Sequence, residues 1–283
     1  MNQTIFLLLG VLGLVGLGAA ISGNDDDHAP DGPADDPRLN PDTVIGDEDS
    51  DQDQVLNGTS GDDGILGGSG DDTINGEAGN DLIGAGYGND SVIADPGNDE
   101  IYLGGSDDVY GAYELGASQG NDTIYGGYGN DTITTNLGDN SIMGGEGDDQ
   151  IYDYGGSVYI NGQEENDLIL SPDASDPNAP DTLIGGEGAD TIHAGAGDLV
   201  DPGTGSDEIF LRSDAGGAAD ITIGGADHIT VTLASDYTGE AAYQLVQSGE
   251  DVRLVVNGED LAILRNTDVA SVNTVTLVRE TVS

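Results

Sequence analysis

The chain has 283 residues and a formal net charge of −50, because 55 Asp and Glu residues stand against five basic residues. Such a field repels nucleic acids and anionic lipids and attracts multivalent cations, so no nucleic-acid partner is expected. Cysteine is absent, which excludes disulfides and thiolate metal sites.

The first segment of the chain is apolar and the second is acidic. Residues 5–21 form a continuous apolar run at the short limit for a membrane span, and no positive charge precedes it as it would in a signal peptide. We interpret residues 1–21 as an export signal or a membrane anchor. Residues 22–36 combine Asp with Pro and Gly, which predicts an acidic disordered linker.

A nine-residue repeat fills the middle of the chain. The phrase G-G-x-G-x-D-x-U-x, with U a large apolar residue, is complete at residues 67–75, 126–134, 144–152 and 185–193. A fixed short period predicts a solenoid, which we place at residues 37–233. The glycines allow sharp turns with positive φ, and the last three residues of each copy extend as a strand. Two copies then make one coil of a parallel β-roll.

The middle residue of each three-residue strand points into the roll, so the eighth position of the repeat forms the predicted core. Each coil then buries about two aliphatic side chains, worth roughly 1.5–3 kcal/mol apiece, whereas ordering its backbone costs on the order of 1–2 kcal/mol per residue. Apolar burial alone does not offset this entropy. The predicted core residues are Ile65, Ile74, Ile83, Val92, Ile101, Tyr110, Ile124, Ile133, Ile142, Ile151, Ile160, Ile169, Leu183, Ile192 and Ile209.

The sixth position supplies the missing stability. A carboxylate from one turn and carbonyl oxygens from two glycine turns make a flexible, all-oxygen cage, which suits Ca²⁺ better than Mg²⁺. No His or Cys falls in the turns, so Zn²⁺ is disfavoured. We therefore predict several bound Ca²⁺ ions. The predicted metal ligands are Asp63, Asp72, Asp81, Asp90, Asp99, Asp108, Asp122, Asp131, Asp149, Asp167, Asp181, Asp190 and Asp207.

After about residue 233 the repeat pattern ends. Residues 241–247, 252–256, 261–264 and 272–278 are rich in Val, Leu and Ile and predict strands. Asn257-Gly258, between two of these segments, is a strong signal for a type I′ hairpin. We predict that residues 234–283 form a small antiparallel β cap over the open end of the array.

The repeat resembles that of the RTX proteins, whose hemolysin-type calcium-binding repeats form a parallel β-roll with Ca²⁺ between successive turns. The resemblance covers residues 37–233. It implies an all-β fold in which the sixth-position Asp and alternate loop carbonyls bind metal and the eighth position fills the core. It also implies type I secretion, which reads a signal near the C-terminus, here within residues 234–283.

Some copies depart from the RTX pattern. Asn140 and Val158 replace the sixth-position Asp, and Glu165 and Ala179 replace the fourth glycine. We expect the weakest sites at residues 135–143 and 153–184. Insertions at residues 112–116 and 171–175 are expected to bulge from one edge of the roll. Asp153 lies outside the sixth-position phase, and its substitution is expected to matter little.

Three tyrosines, Tyr102, Tyr125 and Tyr152, take the outward ninth position. They predict either ordinary cross-strand packing or an exposed aromatic row that binds a polymer or a partner. The G-x-S-x-G phrase at residues 116–120 is followed by another repeat and not by the helix that a nucleophile elbow needs. No catalytic residues are therefore predicted.

The sequence favours a secreted or cell-surface calcium-binding repeat protein with a structural or interaction role that folds on Ca²⁺ after export, and not an enzyme. The alternative is an accessory or remnant of a secreted RTX hydrolase whose roll serves export and folding. The N-terminal and C-terminal segments point to different export routes. We favour C-terminal routing, with residues 5–21 retained as a lipid or surface attachment. The extracellular partner is not identified by the sequence.

Overall fold

The computed structural model describes residues 44–46, 51–111, 120–171, 180–214, 217–224, 226–235, 237–238, 240–272 and 275–280. Over these ranges the protein is all-β, apart from a short 3-10 helix at Val269–Ser271. The predicted anchor at residues 1–21 and the predicted linker at residues 22–36 lie outside the described residues. None of the described residues belongs to a helix long and apolar enough to cross a membrane.

Strands alternate along the chain between two sheets. The first sheet contains, in spatial order, β1 (Val44–Gly46), β3 (Gly64–Ser69), β5 (Leu82–Tyr87), β7 (Glu100–Gly105), β9 (Thr123–Tyr128), β11 (Ser141–Glu146), β13 (Tyr159–Glu164), β15 (Thr182–Gly188), β17 (Leu199–Gly205), β19 (Ala219–Thr222), β23 (Glu259–Arg265), β22 (Asp251–Val256) and β21 (Tyr243–Ser248). The second contains β2 (Val55–Asn57), β4 (Thr73–Asn75), β6 (Ser91–Ile93), β8 (Val109–Tyr110), β10 (Thr132–Thr135), β12 (Gln150–Asp153), β14 (Leu168–Leu170), β16 (Thr191–His193), β18 (Glu208–Arg212), β20 (His228–Leu233) and β24 (Val275–Arg279).

The parallel register confirms the predicted coil of two repeats. Ile65 on β3 pairs with Ile83 on β5, and Ile74 on β4 pairs with Val92 on β6. The pairing continues past the first insertion, where Ile101 on β7 faces its equivalent on β9. Residues 112–116 and most of residues 171–175 lie outside the described ranges, so the predicted bulges stay predictions.

The core is the eighth-position column that the repeat predicts. Every predicted core residue is at most 1% exposed, including Tyr110 and Leu183 in the two atypical copies. The flanking strand residues are more exposed, as in the exposed–buried–intermediate pattern of β4 and β6. The roll is thus a thin apolar column between two sheets.

The glycines of the repeat have two different roles, and the prediction that all three allow positive φ is wrong for the first. The second and fourth glycines do have positive φ, as at Gly68 (96°) and Gly70 (112°). The first glycine has an ordinary φ but no room for a side chain. A Cβ at Gly76 would lie 2.7 Å from both Asp81 Oδ2 and Ala94 O. A carboxylate oxygen and a backbone carbonyl oxygen therefore lie close to the position that a Cβ would occupy.

The C-terminal strands extend the two sheets. β21, β22 and β23 are antiparallel, and Asn257 (φ 54°) and Gly258 (φ 86°) form the predicted turn between β22 and β23. β23 pairs in parallel with β19 of the roll. β24 pairs in parallel with β20 and so differs from the antiparallel strand expected there, because it completes the second sheet at its open edge. The fold is a parallel β-roll with antiparallel C-terminal strands.

Candidate calcium sites

The sixth-position residues form two rows, one on each edge of the roll, because successive copies turn at opposite edges. Within a row, the backbone N–H of one residue donates to the side-chain Oδ1 of the residue one coil later, as from Asp72 to Asp90 and from Asp90 to Asp108, both at 2.7 Å. The first row is Asp63, Asp81, Asp99, Asp122, Asn140, Val158, Asp181 and Asp198. The second row is Asp72, Asp90, Asp108, Asp131, Asp149, Asp167, Asp190, Asp207 and Asp227.

The members of the two rows differ in whether their second carboxylate oxygen, Oδ2, has a hydrogen-bond donor. Among the described residues, ten aspartates have a buried Oδ2 without any hydrogen-bond donor. Eight of them follow one another without a break in the second row, whereas the first row contributes only Asp81 and Asp99. The ten are Asp72, Asp81, Asp90, Asp99, Asp108, Asp131, Asp149, Asp167, Asp190 and Asp207.

In the remaining three predicted ligands, Oδ2 accepts a hydrogen bond from another residue of the chain. The Thr59 amide and hydroxyl donate to Asp63 Oδ2 at 2.6 and 2.9 Å. The Tyr110 hydroxyl donates to Asp122 Oδ2 at 3.3 Å. The Ser171 hydroxyl donates to Asp181 Oδ2. A hydroxyl or amide donor therefore occupies the position at each of these carboxylates that a cation would need.

In six of the ten, Oδ2 lies beside the first glycine of its own repeat and a carbonyl oxygen of the next coil; these six are Asp72, Asp81, Asp131, Asp149, Asp167 and Asp190. At Gly144, for example, a Cβ would contact Asp149 Oδ2 and would lie 2.7 Å from Gly162 O. In the described ranges, no three His, Cys, Asp or Glu side chains converge as a metal-binding group. A cation on these edges would therefore be held by one carboxylate and by backbone carbonyls, which is oxygen-only coordination of the kind that Ca²⁺ accepts.

Burial raises the pKa of these carboxyls, although the backbone N–H donors partly oppose the shift. The pKa rises to about 8 at Asp108 and Asp167 and to about 7 at Asp90 and Asp149. Neighbouring carboxylates of the same row raise it further. Without a cation, these groups therefore bind protons near neutral pH, which is the response of a buried carboxylate that lacks a positive partner.

A comparison with protein-family models identifies the repeat. The model of the RTX calcium-binding nonapeptide repeat (4 copies) matches residues 48–83, 84–112, 117–151, 143–171 and 178–209. The chain belongs to this RTX family. It is therefore a calcium-binding repeat protein. No curated protein gives a significant match to the chain.

The departures from the RTX pattern have different consequences. Asn140 keeps its place in the first row, because its Oδ1 accepts from the Asp122 amide at 2.9 Å. Val158 supplies no side-chain oxygen, and its amide donates to Asp181 Oδ1. Asp167 lies inside the stretch predicted to be weakest, yet its geometry matches that of its second-row neighbours. Glu165 adopts positive φ (71°) in place of the fourth glycine of that copy.

Several buried or paired polar groups were not predicted from the sequence. Asp198 and Asp227 continue the two rows, and the D-x-U order at residues 198–200 and 227–229 was the signal for them. Asp153 is buried, and burial raises its pKa to about 6. A hydrogen bond of 2.6 Å from the Thr135 hydroxyl partly opposes this shift. Asp153 lies outside the rows, but a substitution there would disturb a buried carboxylate and is not a neutral comparison.

A second ladder of side chains runs beside the rows and was also missed. Asp and Asn recur at the fifth position of the repeat, which was its sequence signal. Each fifth-position Oδ1 accepts the backbone N–H of the residue one coil later, so this ladder has the opposite direction to the sixth-position rows. Examples are Asp71 Oδ1 with the Asn89 amide (2.9 Å) and Asn98 Oδ1 with the Asn121 amide (2.8 Å). Most coil junctions up to residue 189 are thus bonded in both directions.

Proposed function

We propose that this RTX chain is a secreted or cell-surface structural protein whose roll folds when Ca²⁺ enters the turn edges after export. The observation that carries the proposal is the unbroken second-row run of eight buried carboxylates, each with one oxygen that lacks a donor. Burying so many unpaired carboxylates is unfavourable without a cation or a proton. A bound Ca²⁺ supplies the positive charge, and its binding free energy then adds to folding free energy.

We propose that the ions lie mainly along the second row. Asp72, Asp90, Asp108, Asp131, Asp149, Asp167, Asp190 and Asp207 are the proposed ligands there. Asp81 and Asp99 are the proposed ligands on the first edge. Asp63, Asp122 and Asp181 are proposed to need no ion, since hydroxyl or amide donors already hold their Oδ2. The roll then has one calcium-rich edge and one edge that is mostly joined by hydrogen bonds.

Calcium titration of the full chain tests this function. In chelator near pH 8 we expect a far-ultraviolet circular dichroism spectrum without regular β-structure, and in millimolar Ca²⁺ a β spectrum. Site affinities should lie on the order of 10⁻⁴–10⁻³ M, as in extracellular calcium modules. Mg²⁺ at the same concentration is the control and should restore little of the signal, because it requires a compact octahedral site. A β spectrum that is the same in chelator and in Ca²⁺ would contradict the proposal.

A structural role outside the cell is the part of the proposal that depends on family membership and charge. A chain with few basic residues and many carboxylates stays repelled and extended where Ca²⁺ is scarce, and it folds where Ca²⁺ is plentiful. The absence of cysteine removes any need for disulfide formation during passage. These properties support export of an unfolded chain. They also support a task in which the metal-stiffened roll acts as a spacer or an interaction surface.

A further inference from the structure

A channel runs along the outer face of the first sheet, across strands β7, β9, β11 and β13. One wall, here called the aromatic wall, is formed by Tyr102, Tyr125 and Met143, which face one another in register on β7, β9 and β11. The rings of Tyr102 and Tyr125 stack with their centroids 4.7 Å apart and their planes within 11°. Of the two alternatives predicted for the tyrosines, cross-strand packing is observed for these two residues, whereas Tyr152 lies on β12 in the opposite sheet.

On β7, β9 and β11 the floor of the channel is formed by glycines that pair across the sheet, and on β13 Gln163 takes the same position opposite Gly145. The space above this floor has a volume of about 450 Å³. The opposite wall, here called the acidic wall, is formed by Tyr128, Glu146 and Glu164, again in register on successive strands. All three of these side chains are exposed. The floor glycines are Gly104, Gly127 and Gly145.

The acidic wall lacks a compensating charge. Neighbouring strands lie about 4.8 Å apart, so Glu146 and Glu164 repel each other across the β11–β13 pair. Within the described part of the chain neither carboxylate has a basic partner, because Arg212, Arg253 and Arg265 pair with other carboxylates and Arg279 contacts Tyr237. The net charge of −50 adds to this local potential. A cationic occupant would therefore relieve the repulsion between Glu146 and Glu164.

We propose that this channel binds an arginine-bearing, extended segment of a partner protein. A guanidinium is planar, stacks on tyrosine rings and donates to two carboxylate oxygens at once, so it fits between an aromatic and an acidic wall better than a neutral group does. Glu146 and Glu164 are close enough for one guanidinium to contact both. The floor glycines let an extended backbone approach the sheet closely on β7, β9 and β11.

The test uses the full chain, folded in millimolar Ca²⁺ and moderate salt, and a fluorescein-labelled peptide of alternating Arg and Ala. Fluorescence anisotropy would measure its affinity, with a citrulline-for-arginine peptide as the neutral probe. The channel variant Glu146→Gln/Glu164→Gln is matched by Glu240→Gln/Glu250→Gln, which removes the same charge from exposed sites in the C-terminal region. Tyr125→Leu is matched by Tyr154→Leu, since Tyr154 is an exposed tyrosine outside the channel.

We expect the channel double variant to weaken arginine-peptide binding at least about fivefold, and its matched control less than about twofold. Tyr125→Leu should weaken binding more than Tyr154→Leu, and the citrulline peptide should bind weakly to every variant. Circular dichroism confirms that each variant is folded. Equal losses in the channel and control doubles would show attraction by bulk charge and would overturn the proposal. It would also be overturned if the unmodified chain did not bind the arginine peptide or bound both peptides equally.

Discussion

The partner of a single carboxylate oxygen distinguishes residues that occupy the same place in the repeat. Asp108 and Asp122 are both buried, and both accept a backbone N–H at Oδ1. Asp108 Oδ2 has no donor in the described chain, whereas Asp122 Oδ2 accepts from the Tyr110 hydroxyl. Asn140 already occupies the first row with its Oδ1 bond intact, so an Asp→Asn change preserves the backbone ladder.

We therefore predict different outcomes for Asp108→Asn and Asp122→Asn. The first change removes a proposed ligand, so the chain should bind less Ca²⁺ and lose about 1 kcal/mol of calcium-dependent stability in millimolar Ca²⁺. The second should leave the calcium stoichiometry unchanged. Isothermal titration calorimetry gives the stoichiometry, and thermal unfolding with and without Ca²⁺ gives the stability. Equal loss of bound Ca²⁺ in the two variants would show that the Oδ2 partner does not select the sites.

The raised pKa values predict an unusual pH dependence for the metal-free chain. The pKa of a free carboxyl near 3.8 rises to about 6 at Asp81, about 7 at Asp131 and about 8 at Asp167, because burial disfavours the charged form. Between pH 4 and these raised pKa values, the folded state binds more protons than the unfolded state. The stability that protonation contributes is therefore fully present below about pH 4 and is lost as the pH rises through 6 to 8.

In chelator, the β signal should consequently increase when the pH is lowered from 8 to 5. In saturating Ca²⁺ the β signal should change little over this window, and the increase that Ca²⁺ causes should shrink as the pH falls, because protons then already neutralise the same oxygens. Circular dichroism across this window measures both trends. Exposed carboxylates remain charged above pH 5, so their repulsion is nearly constant there. A metal-free spectrum that does not change between pH 5 and 8 would contradict the prediction.

At the scale of the strand, the C-terminal hairpin is joined to the last coil by ion pairs as well as by backbone pairing. Arg265 on β23 contacts Asp220 on β19, and its Nη1 lies 3.0 Å from Asp251 Oδ2 on β22. Arg253 instead pairs with Asp260 inside the hairpin, at 2.6 Å. Two arginines of similar exposure therefore connect different elements: Arg265 joins the hairpin to the roll, and Arg253 joins two strands of the hairpin.

Arg265→Gln should loosen the junction between the roll and the hairpin, whereas Arg253→Gln should not. The expected result is faster amide hydrogen exchange in β19 and β23 for the first variant, with little change in the melting temperature because exposed ion pairs contribute little. Arg253→Gln removes the same charge and serves as the control. If both variants speed exchange in β19 equally, the effect comes from charge and not from the connection.

Much of the site could be predicted from the repeat, because a fixed period places equivalent side chains on the same surface. The buried isoleucines and the rows of Asp90 and its equivalents follow from that rule. The partners of Asp122 and Asp181 do not, because Tyr110 and Ser171 contact them across coils at irregular places in the chain. Tyr152 was misplaced for a different reason: its copy is the third after that of Tyr125, and successive copies place their strands in opposite sheets.

At the scale of the whole molecule, the charge acts on folding. The metal-free chain must carry a net charge of −50 with its edge carboxylates uncompensated, which favours an extended state. The two sheets continue from the repeats into the C-terminal strands, so the array and its last elements form one hydrogen-bonded body. The boundary that we predict at residue 234 therefore separates two sequence patterns rather than two separate sheets.

We predict that residues 234–283 carry the export signal and that residues 1–21 retain the exported protein at a surface. Deleting residues 234–283 should leave the protein inside the cell, and deleting residues 1–21 should release it into the medium. Because the first deletion also removes strands β21 to β24, residues 234–283 should be joined to an unrelated reporter, which they should export. Immunoblots of cells and medium measure each result. Secretion that survives the first deletion and fails after the second would reverse the assignment.

The alternation of strands between the two sheets limits how such a chain can change its length. Inserting one nonapeptide would move every later strand to the opposite sheet and would deliver β23 and β24 to the wrong neighbours. Inserting two restores the parity and leaves each later residue on its original face. Gene duplication should therefore lengthen this molecule in steps of whole coils. Each step would add one proposed ion to the metal-rich edge.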